Sequence, residues 1–482
     1  VPYLQITDFA AGIDLRKSRN TAPAGTLRAL KNAVITAGGE VEKRKTLTTI
    51  GALPAGLTHG LSFLNKQLVV FGLSDAAAVT HLLPLHVTYQ KLVPVAGTAI
   101  YRILKAEVFA GKIYAVVQFT DDSVEHFYDG VAVSGVAGET VRAHKSKLFA
   151  AEGVNLRFSA IRDAADWTVG AGNGIIDVTT EDTGETELVG LEEYFGALAV
   201  FGRTSVQIWN MDPDPALSQI GQVLGNTGLV SRNAVARFGS GDVLFLADTG
   251  VRSLRARDIQ SAAAVNDVGA PVDNLIVAKR AILTAAEADK LTALVDPLTG
   301  RFWLVWGTEV FVLTVFPNSK ISAWSVFDFG LPLDYVTRAG SRVAVRSGDE
   351  LFVYGSIADP LQNPFDPNTP IGIAAEVYDA TPVEFVTPFM DAGRPGTVKV
   401  WSGLDVSCTG TWEVYVCPSP PRDLDAEPIW TKIAVVDQAT WGLDTIPVDM
   451  EGNHIAVRMV SVGATSATIA SIALHHNLGA DG

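Results

Sequence analysis

Residues 197–209, ALAVFGRTSVQIW, and residues 242–254, DVLFLADTGVRSL, each spell a pair of antiparallel strands. In the first, Ala197 to Phe201 is apolar, Gly202-Arg203 is expected to make a tight turn with the glycine at positive φ, and Thr204 to Trp209 returns with alternating faces. Thr204, Val206 and Ile208 point one way and Ser205, Gln207 and Trp209 the other, so one face is expected inward and the other toward a neighbour or water. In the second, Asp242 to Leu246 runs out, Asp248-Thr249-Gly250 turns, and Val251 to Leu254 returns. One such pair is marginal alone. A chain built of them must stack them, as a sandwich or as radial blades.

The unit recurs along the chain. Leu61 to Phe71 turns at Asn65-Lys66, Glu107 to Tyr128 at Gly111-Lys112 and Asp121-Asp122-Ser123, and Val141 to Phe158 at Glu152-Gly153. Arg301 to Ser325 and Val343 to Tyr354 follow, the latter turning at Ser347-Gly348-Asp349. One group every 40 to 50 residues or so matches the period of propeller blades. The chain therefore reads as mainly β, an irregular β-propeller of roughly six to eight blades over residues 51–356, with two successive sandwiches as the alternative. Helical inserts are expected near 272–295. Val272 to Leu283 is weakly periodic, and Thr284-x-x-Glu287 is a capping box opening a helix that ends before Asp296-Pro297. Residues 357–370, rich in proline and acid, read as a linker. Residues 371–482 carry short alternating strands at Lys399–Val406, Trp412–Val416, Ile429–Val435, His454–Val460 and Thr468–Leu474, which read as a small C-terminal β-sandwich.

At 482 residues and 48% hydrophobic, the chain has enough material for two or three cores. Its formal charge of -15 removes the broad basic surface that a nucleic-acid binder uses to displace counterions. No apolar run reaches the length of a membrane-spanning helix, and neither such a helix nor a secretory leader is expected. Cys408 and Cys417 flank Gly410 in a hairpin; a bridge is conceivable, and free buried thiols are expected.

The usual chemical signatures are missing. Gly111-Lys112 is a hairpin turn and not a phosphate loop, and Gly170-x-Gly172-x-Gly174 runs into the strand Ile175 to Val178 where a dinucleotide loop needs a helix. Zinc spacings and nucleophile elbows do not occur. His475 and His476 are adjacent and, on a strand, face opposite ways. The alternative function is glycan binding or hydrolysis on a host surface: Asp121-Asp122, Glu181-Asp182, Glu185, Glu187 and Glu192-Glu193 supply acids, Trp167 and Trp209 supply stacking surfaces, and Ser159, Asp163 and Asp166-Trp167-Thr168 partly match the Asp-box turn of sialidase propellers. Charged pairs at turns and tryptophans at strand ends have a plainer reading as loop tips and blade core. No catalytic residue, cofactor or metal is expected.

Residues 1–50 differ from the rest and are expected to form an arm laid over other parts of the chain or over another subunit. They hold Phe9-x-x-Gly12-Ile13, the basic residues Arg16, Lys17 and Arg19, a helical turn or two from Thr26 to Asn32, a Gly38-Gly39 pair and the run Glu42-Lys43-Arg44-Lys45. The order Phe-x-x-Gly-Ile, Leu27, Leu30, Asn32-Ala33, Gly-Gly, Glu-Lys-Arg resembles the opening of the tail nozzle, or packaged-DNA stabilisation, proteins of short-tailed bacteriophages. This chain has Lys45-Thr46 where those continue Lys-Arg-Pro-Gly. Phe158-Ser159-Ala160 with Asp166-Trp167-Thr168, Leu198 to Phe201 with Ser205-Val206, and Phe245 to Asp248 with Gly250-Val251 resemble later stretches in the same order.

The resemblance implies a non-enzymatic virion protein, assembled in the host cytoplasm as a ring, usually of six copies, below the portal and adaptor. Such a ring extends and plugs the DNA channel and supports fibres or a needle. An acidic subunit suits a wall that must not grip the packaged DNA it surrounds, with no sequence-specific contact. Arg16, Lys17, Arg19, Lys43, Arg44 and Lys45 are the expected contacts with the adaptor or an adjoining subunit.

Overall fold

The computed structural model describes residues 2–170, 172–180, 187–256, 267–355, 362–366, 378–421, 423, 426–441 and 444–478. Among these, the pairs read from the sequence stand side by side around one axis, each group with its first strand innermost. The innermost strands are His59–Leu64, Ile100–Phe109, Thr140–His144, Leu188–Tyr194, Val235–Phe238, Thr292–Val295 and Tyr335–Ala339. Each packs against the next and the last packs against the first, so the ring closes with seven blades. Blades two, three and four are complete four-stranded sheets. Blade one has three strands, and its third, Val87–Lys91, runs parallel to Gln67–Gly72.

Strand pairing at two blades fixes the rest of the molecule. In blade seven, the fourth strand is Leu47–Ala52, which pairs with Glu350–Tyr354 and so joins the start of the propeller to its end. In blade six, the outer strand Ile321–Asp328 pairs with Ala29–Lys31, which pairs in turn with Glu384–Val386. From there the sheet continues through Ala456–Val462 and Thr411–Cys417 to Thr431–Val436, nine strands in all. The sandwich is completed by a second sheet of Ala33–Ile35, Val41–Lys43, Thr468–Leu478, Lys399–Thr409 and Ile446–Gly452, with Tyr3–Ile6 also on Thr468–Leu478. Trp401 and Leu474 from this sheet meet Trp412 and Val457 from the other in one core, which runs on into blades four to six.

The hairpin at 197–210 shows how a blade differs from a half-exposed sheet. Ala197–Gly202 pairs with Ser205–Asn210 in the register Phe201↔Val206, and the turn sits at Arg203-Thr204; Gly202 belongs to the strand and has no positive φ. Both faces are buried. Val206 and Ile208 pack toward Val243 and Phe245 of blade five, and Leu198, Val200 and Trp209 pack toward Phe149 and Leu156 of blade three. Burying such a side chain is worth about 1.5–3 kcal/mol, so a blade is stabilised by both neighbours at once. At the tip of blade one, Asn65 and Lys66 both adopt positive φ, as a two-residue hairpin turn requires.

The arm is not laid over the surface; its strands are members of both sandwich sheets and of blade seven. No helix forms over Thr26 to Asn32, because the backbone of Ala29–Lys31 is recruited by a strand on either side. The inserts are the helices Asp273–Ala281 and Ala285–Ala288. The second carries the predicted capping box but stops early, since Thr292–Val295 is the inner strand of blade six. Most of the expected linker lies outside the described residues. Its described part, 362–366, docks on the propeller: Phe365 is buried against Phe63, and Asn363 Nδ2 donates to the Lys66 carbonyl at 2.7 Å. Cys408 and Cys417 are free and buried. Among the described residues no helix is long and apolar enough to cross a membrane.

Candidate functional site at the propeller axis

The inner strands enclose a cavity of about 630 Å³ to which all seven blades contribute. Its lining carries five cations, Arg102, Lys105, Arg142, Arg237 and Arg338, against the carboxylates Glu107 and Glu192. In a chain of net charge -15 the axis is thus locally positive.

At mid-height the charges form a network. Arg142 Nη2 lies 2.6 Å from Glu192 Oε1, and Arg142 Nη1 lies 3.3 Å from Glu107 Oε1. Arg142 Nε is buried and has no hydrogen-bond partner. Lys105 Nζ donates to Asn233 Oδ1 at 3.1 Å, and Asn233 Nδ2 donates to the Leu104 carbonyl at 2.9 Å. Burial lowers the Lys105 pKa, against the pull of Glu107 and Glu192 and with the push of Arg142 and Arg232. Burial likewise raises the Glu192 carboxyl, although Arg142 and Lys105 oppose it.

One end of the channel is covered. Ala286, Asp289 and Lys290 stand over Tyr101, Arg102 and Tyr335 at the N-terminal ends of the inner strands. Asp289 binds Arg232 at 3.2 Å and Lys290 binds Asp334 at 3.1 Å, so the short helix is tied to blades on both sides of the opening. Arg102 donates to the Asp334 carbonyl at 3.0 Å and lies 4.5 Å over the Tyr335 ring. Toward the other end stand Arg237, paired with Glu193 at 2.9 Å, and the exposed Arg338.

The acids and tryptophans singled out for glycan chemistry do not converge. Asp163 and Asp166 accept from the backbone N–H two residues on, at 2.9 and 3.1 Å, and Asp121 does the same for Ser123 at 3.1 Å. Trp167 is core between blades two and three, with its Nε1 on the Ala164 carbonyl at 2.9 Å, and Trp209 is core between blades three and four. Glu181, Asp182 and Glu185 lie outside the described residues. Of these acids that are described, only Glu192 lines the axial cavity, and there it is bound to Arg142. His475 faces Asp405 at 2.7 Å while His476 packs on Trp401, on opposite sides of their strand. No group of three His, Cys, Asp or Glu among the described residues is placed to hold a metal ion.

The six basic residues of the arm fall into two sets. Arg16 chelates Asp14 through Nε at 2.9 Å and Nη2 at 2.7 Å, Lys17 is exposed, and Arg19 Nη1 donates to the Ala426 carbonyl at 2.9 Å; these lie at the surface. Lys43 and Arg44 are buried within the chain, their side chains spent on internal partners. Lys43 Nζ donates to the carbonyls of Asp379 and Gly463, both at 2.8 Å. Arg44 donates to Asn32 Oδ1, Asp379 Oδ2 and the carbonyls of Lys45 and Asp328, each at 2.9 Å, and lies 4.3 Å over the Phe329 ring. Lys45 is half-buried beside them, its backbone N–H 3.4 Å from the Tyr354 hydroxyl. Burial works against the Asp379 carboxylate, yet Arg44 holds its pKa below the ordinary value. Asn32 takes a left-handed φ of 55°, which aims its amide at both units: Oδ1 accepts from Asp328 N–H at 2.8 Å and Nδ2 donates to the Pro382 carbonyl at 3.1 Å.

No family model matches the chain, and no curated protein matches it. Solved structures do. The WD40 domain of Neurospora crassa Pan2 is 12% identical with a TM-score of 0.38, over 66% of this chain and 97% of that one. BamB from Moraxella catarrhalis is 11% identical with a TM-score of 0.33, over 73% and 98%. The extracellular domain of the putative hybrid two-component system BT3049 from B. thetaiotaomicron is 9% identical with a TM-score of 0.38, over 92% of this chain and 61% of that one. By its own closed ring of seven blades, the chain is a β-propeller with a β-sandwich attached.

Proposed function

We propose that this chain is a structural subunit of a short-tailed bacteriophage tail, a nozzle component of the virion. In this reading copies assemble as a ring, six by family expectation, below the portal and adaptor. The ring extends and plugs the channel that holds packaged DNA and carries fibres or a needle, without catalysis.

One observation supports it above the others. Of the residues on which the resemblance rests, several in the N-terminal stretch join propeller to sandwich. Phe9 is fully buried edge-on to Phe385 at 5.3 Å, Gly12 bridges to Trp324, Leu27 and Leu30 are fully buried, and Asn32 and Arg44 bind across the joint. At Gly12 a side chain would sit 2.7 Å from the Trp324 carbonyl oxygen at a φ of 55°, so the motif needs glycine there. The motif thus ties propeller to sandwich, as a ring subunit that must withstand force needs.

The test is the mass of the purified chain in solution, alone and with the adaptor of its own particle. A closed ring in either condition is the expected result. A monomer in both ends the proposal.

A further inference from the structure

We infer that the axial cavity is a binding site for a small multivalent oxyanion. The claim does not depend on the nozzle reading.

The first argument is charge. Five cations stand against the two lining carboxylates and Glu193, which pairs with Arg237, around about 630 Å³, so the cavity keeps an excess of positive charge whose field a concave site concentrates. Both carboxylates are already committed to Arg142. Arg237 is likewise paired, with Glu193 at 2.9 Å, and the other three lining cations are served by weaker partners. Lys105 meets the neutral amide oxygen of Asn233, Arg102 meets a backbone carbonyl and a ring face, and Arg338 has no ion pair among the described residues.

The second argument is hydrogen-bond capacity. An ammonium offers three donors and Lys105 has one acceptor, while Arg142 Nε is a buried donor with none. An oxyanion beside Lys105 supplies acceptors that bind charged donors about twice as strongly as a neutral amide does. Its negative charge also offsets the push of Arg142 and Arg232 on that ammonium.

The third argument is access. The helix Ala285–Ala288, with Asp289 and Lys290, covers the end near Arg102. Entry is therefore from the opposite end, where Arg237 and the exposed Arg338 stand. Pyrophosphate and citrate share the chemistry that such a site recognises, several anionic oxygens on a compact frame.

Titration calorimetry of the full chain with each anion, at ionic strength matched by sodium chloride, tests the inference. Saturable one-site binding of at least one probe is expected. Binding of pyrophosphate alone assigns phosphate chemistry, and binding of citrate alone assigns carboxylate chemistry. Arg338→Ala, on an exposed side chain, should leave the melting temperature unchanged and weaken binding by about tenfold or more, and Lys105→Met should do the same. Should Lys105→Met fail to fold, Arg338→Ala decides alone. No saturable binding by either anion, or binding that Arg338→Ala leaves intact, overturns the inference.

Discussion

Arg44 is a charge fully enclosed between the two units, and its four hydrogen bonds leave little of the guanidinium unsatisfied. Arg44→Met would strip the donor from Asp379, Asn32 and two carbonyls at once. Breaking a buried pair by removing one partner costs about 3–5 kcal/mol. We expect Arg44→Met to lower the unfolding free energy, read by denaturant titration, by that order and to split one transition into two, as sandwich and propeller part. A single transition at the wild-type midpoint would show that the joint does not depend on this residue. His126 is a second buried group with a measurable signature. Its Nε2 hydrogen-bonds the Gly138 carbonyl at 3.0 Å, and its Nδ1 accepts from the Tyr114 hydroxyl at 3.1 Å. Burial drives its pKa down to about 4, from 6.5. Between those values the unfolded chain binds a proton that the folded chain refuses, so stability rises with pH across this window and falls on acidification. The loss is on the order of 3 kcal/mol at its full extent. His126→Phe, compared with wild type from pH 7 to pH 4, should flatten that part of the profile; an unchanged slope would refute the assignment.

At the scale of elements, what the sequence makes legible is what local chemistry decides. Asn65-Lys66 and Gly348 announce their turns, the strands on either side follow by alternation, and the capping box at Thr284 forms as written, with Glu287 N–H on Thr284 Oγ1 and Glu287 Oε2 on Thr284 N–H. What stays hidden is decided by partners far away in the chain. Ala29–Lys31 looks helical until strands near 326 and 385 claim its backbone, and Val87–Lys91 becomes a strand only beside Gln67–Gly72. The candidate site divides the same way. Arg16, Lys17 and Arg19 are surface residues as their composition suggests, whereas nothing in the run Glu42-Lys43-Arg44-Lys45 reveals that its centre is enclosed. Lys105, Arg142 and Glu192 give no sign of a network in the sequence because they sit on three different blades, and only ring closure brings them together. The cap at Thr284 permits a local prediction. Thr284→Ala should cost the Ala285–Ala288 helix about 1 kcal/mol and speed exchange of the following amides by roughly fivefold. The global midpoint should not move, because the helix contributes no buried residue. A matching loss of global stability would mean that the helix is part of the core and not a cover on the channel.

At the scale of the whole molecule, charge is distributed unevenly, and that unevenness is where assembly can be tested. The chain carries -15 overall, yet Arg16, Lys17, Arg19 and Arg28 gather at one exposed corner with Asp14 as the neighbouring carboxylate. Burial lowers the Arg28 pKa, and Arg19 lowers it further, a sign that these cations repel one another in the lone subunit. An acidic surface brought to this corner would relieve the repulsion, and a chain of net charge -15 has an excess of acid from which to supply one. Deleting residues 1–45 cannot probe this, because it would remove four strands and unpick the sandwich. The triple substitution Arg16→Glu, Lys17→Glu and Arg19→Glu spares every strand and alters only the corner. Exposed ion pairs are worth about 0–1 kcal/mol each, so the melting temperature of the subunit should stay close to that of wild type. Ring formation, or binding to the adaptor, should weaken and should do so most at low ionic strength, where a Debye length beyond about 10 Å leaves the reversed charges unscreened. If the triple variant assembles as wild type does at low salt, the corner is an ordinary solvated surface, and contacts between subunits must be sought on the blades.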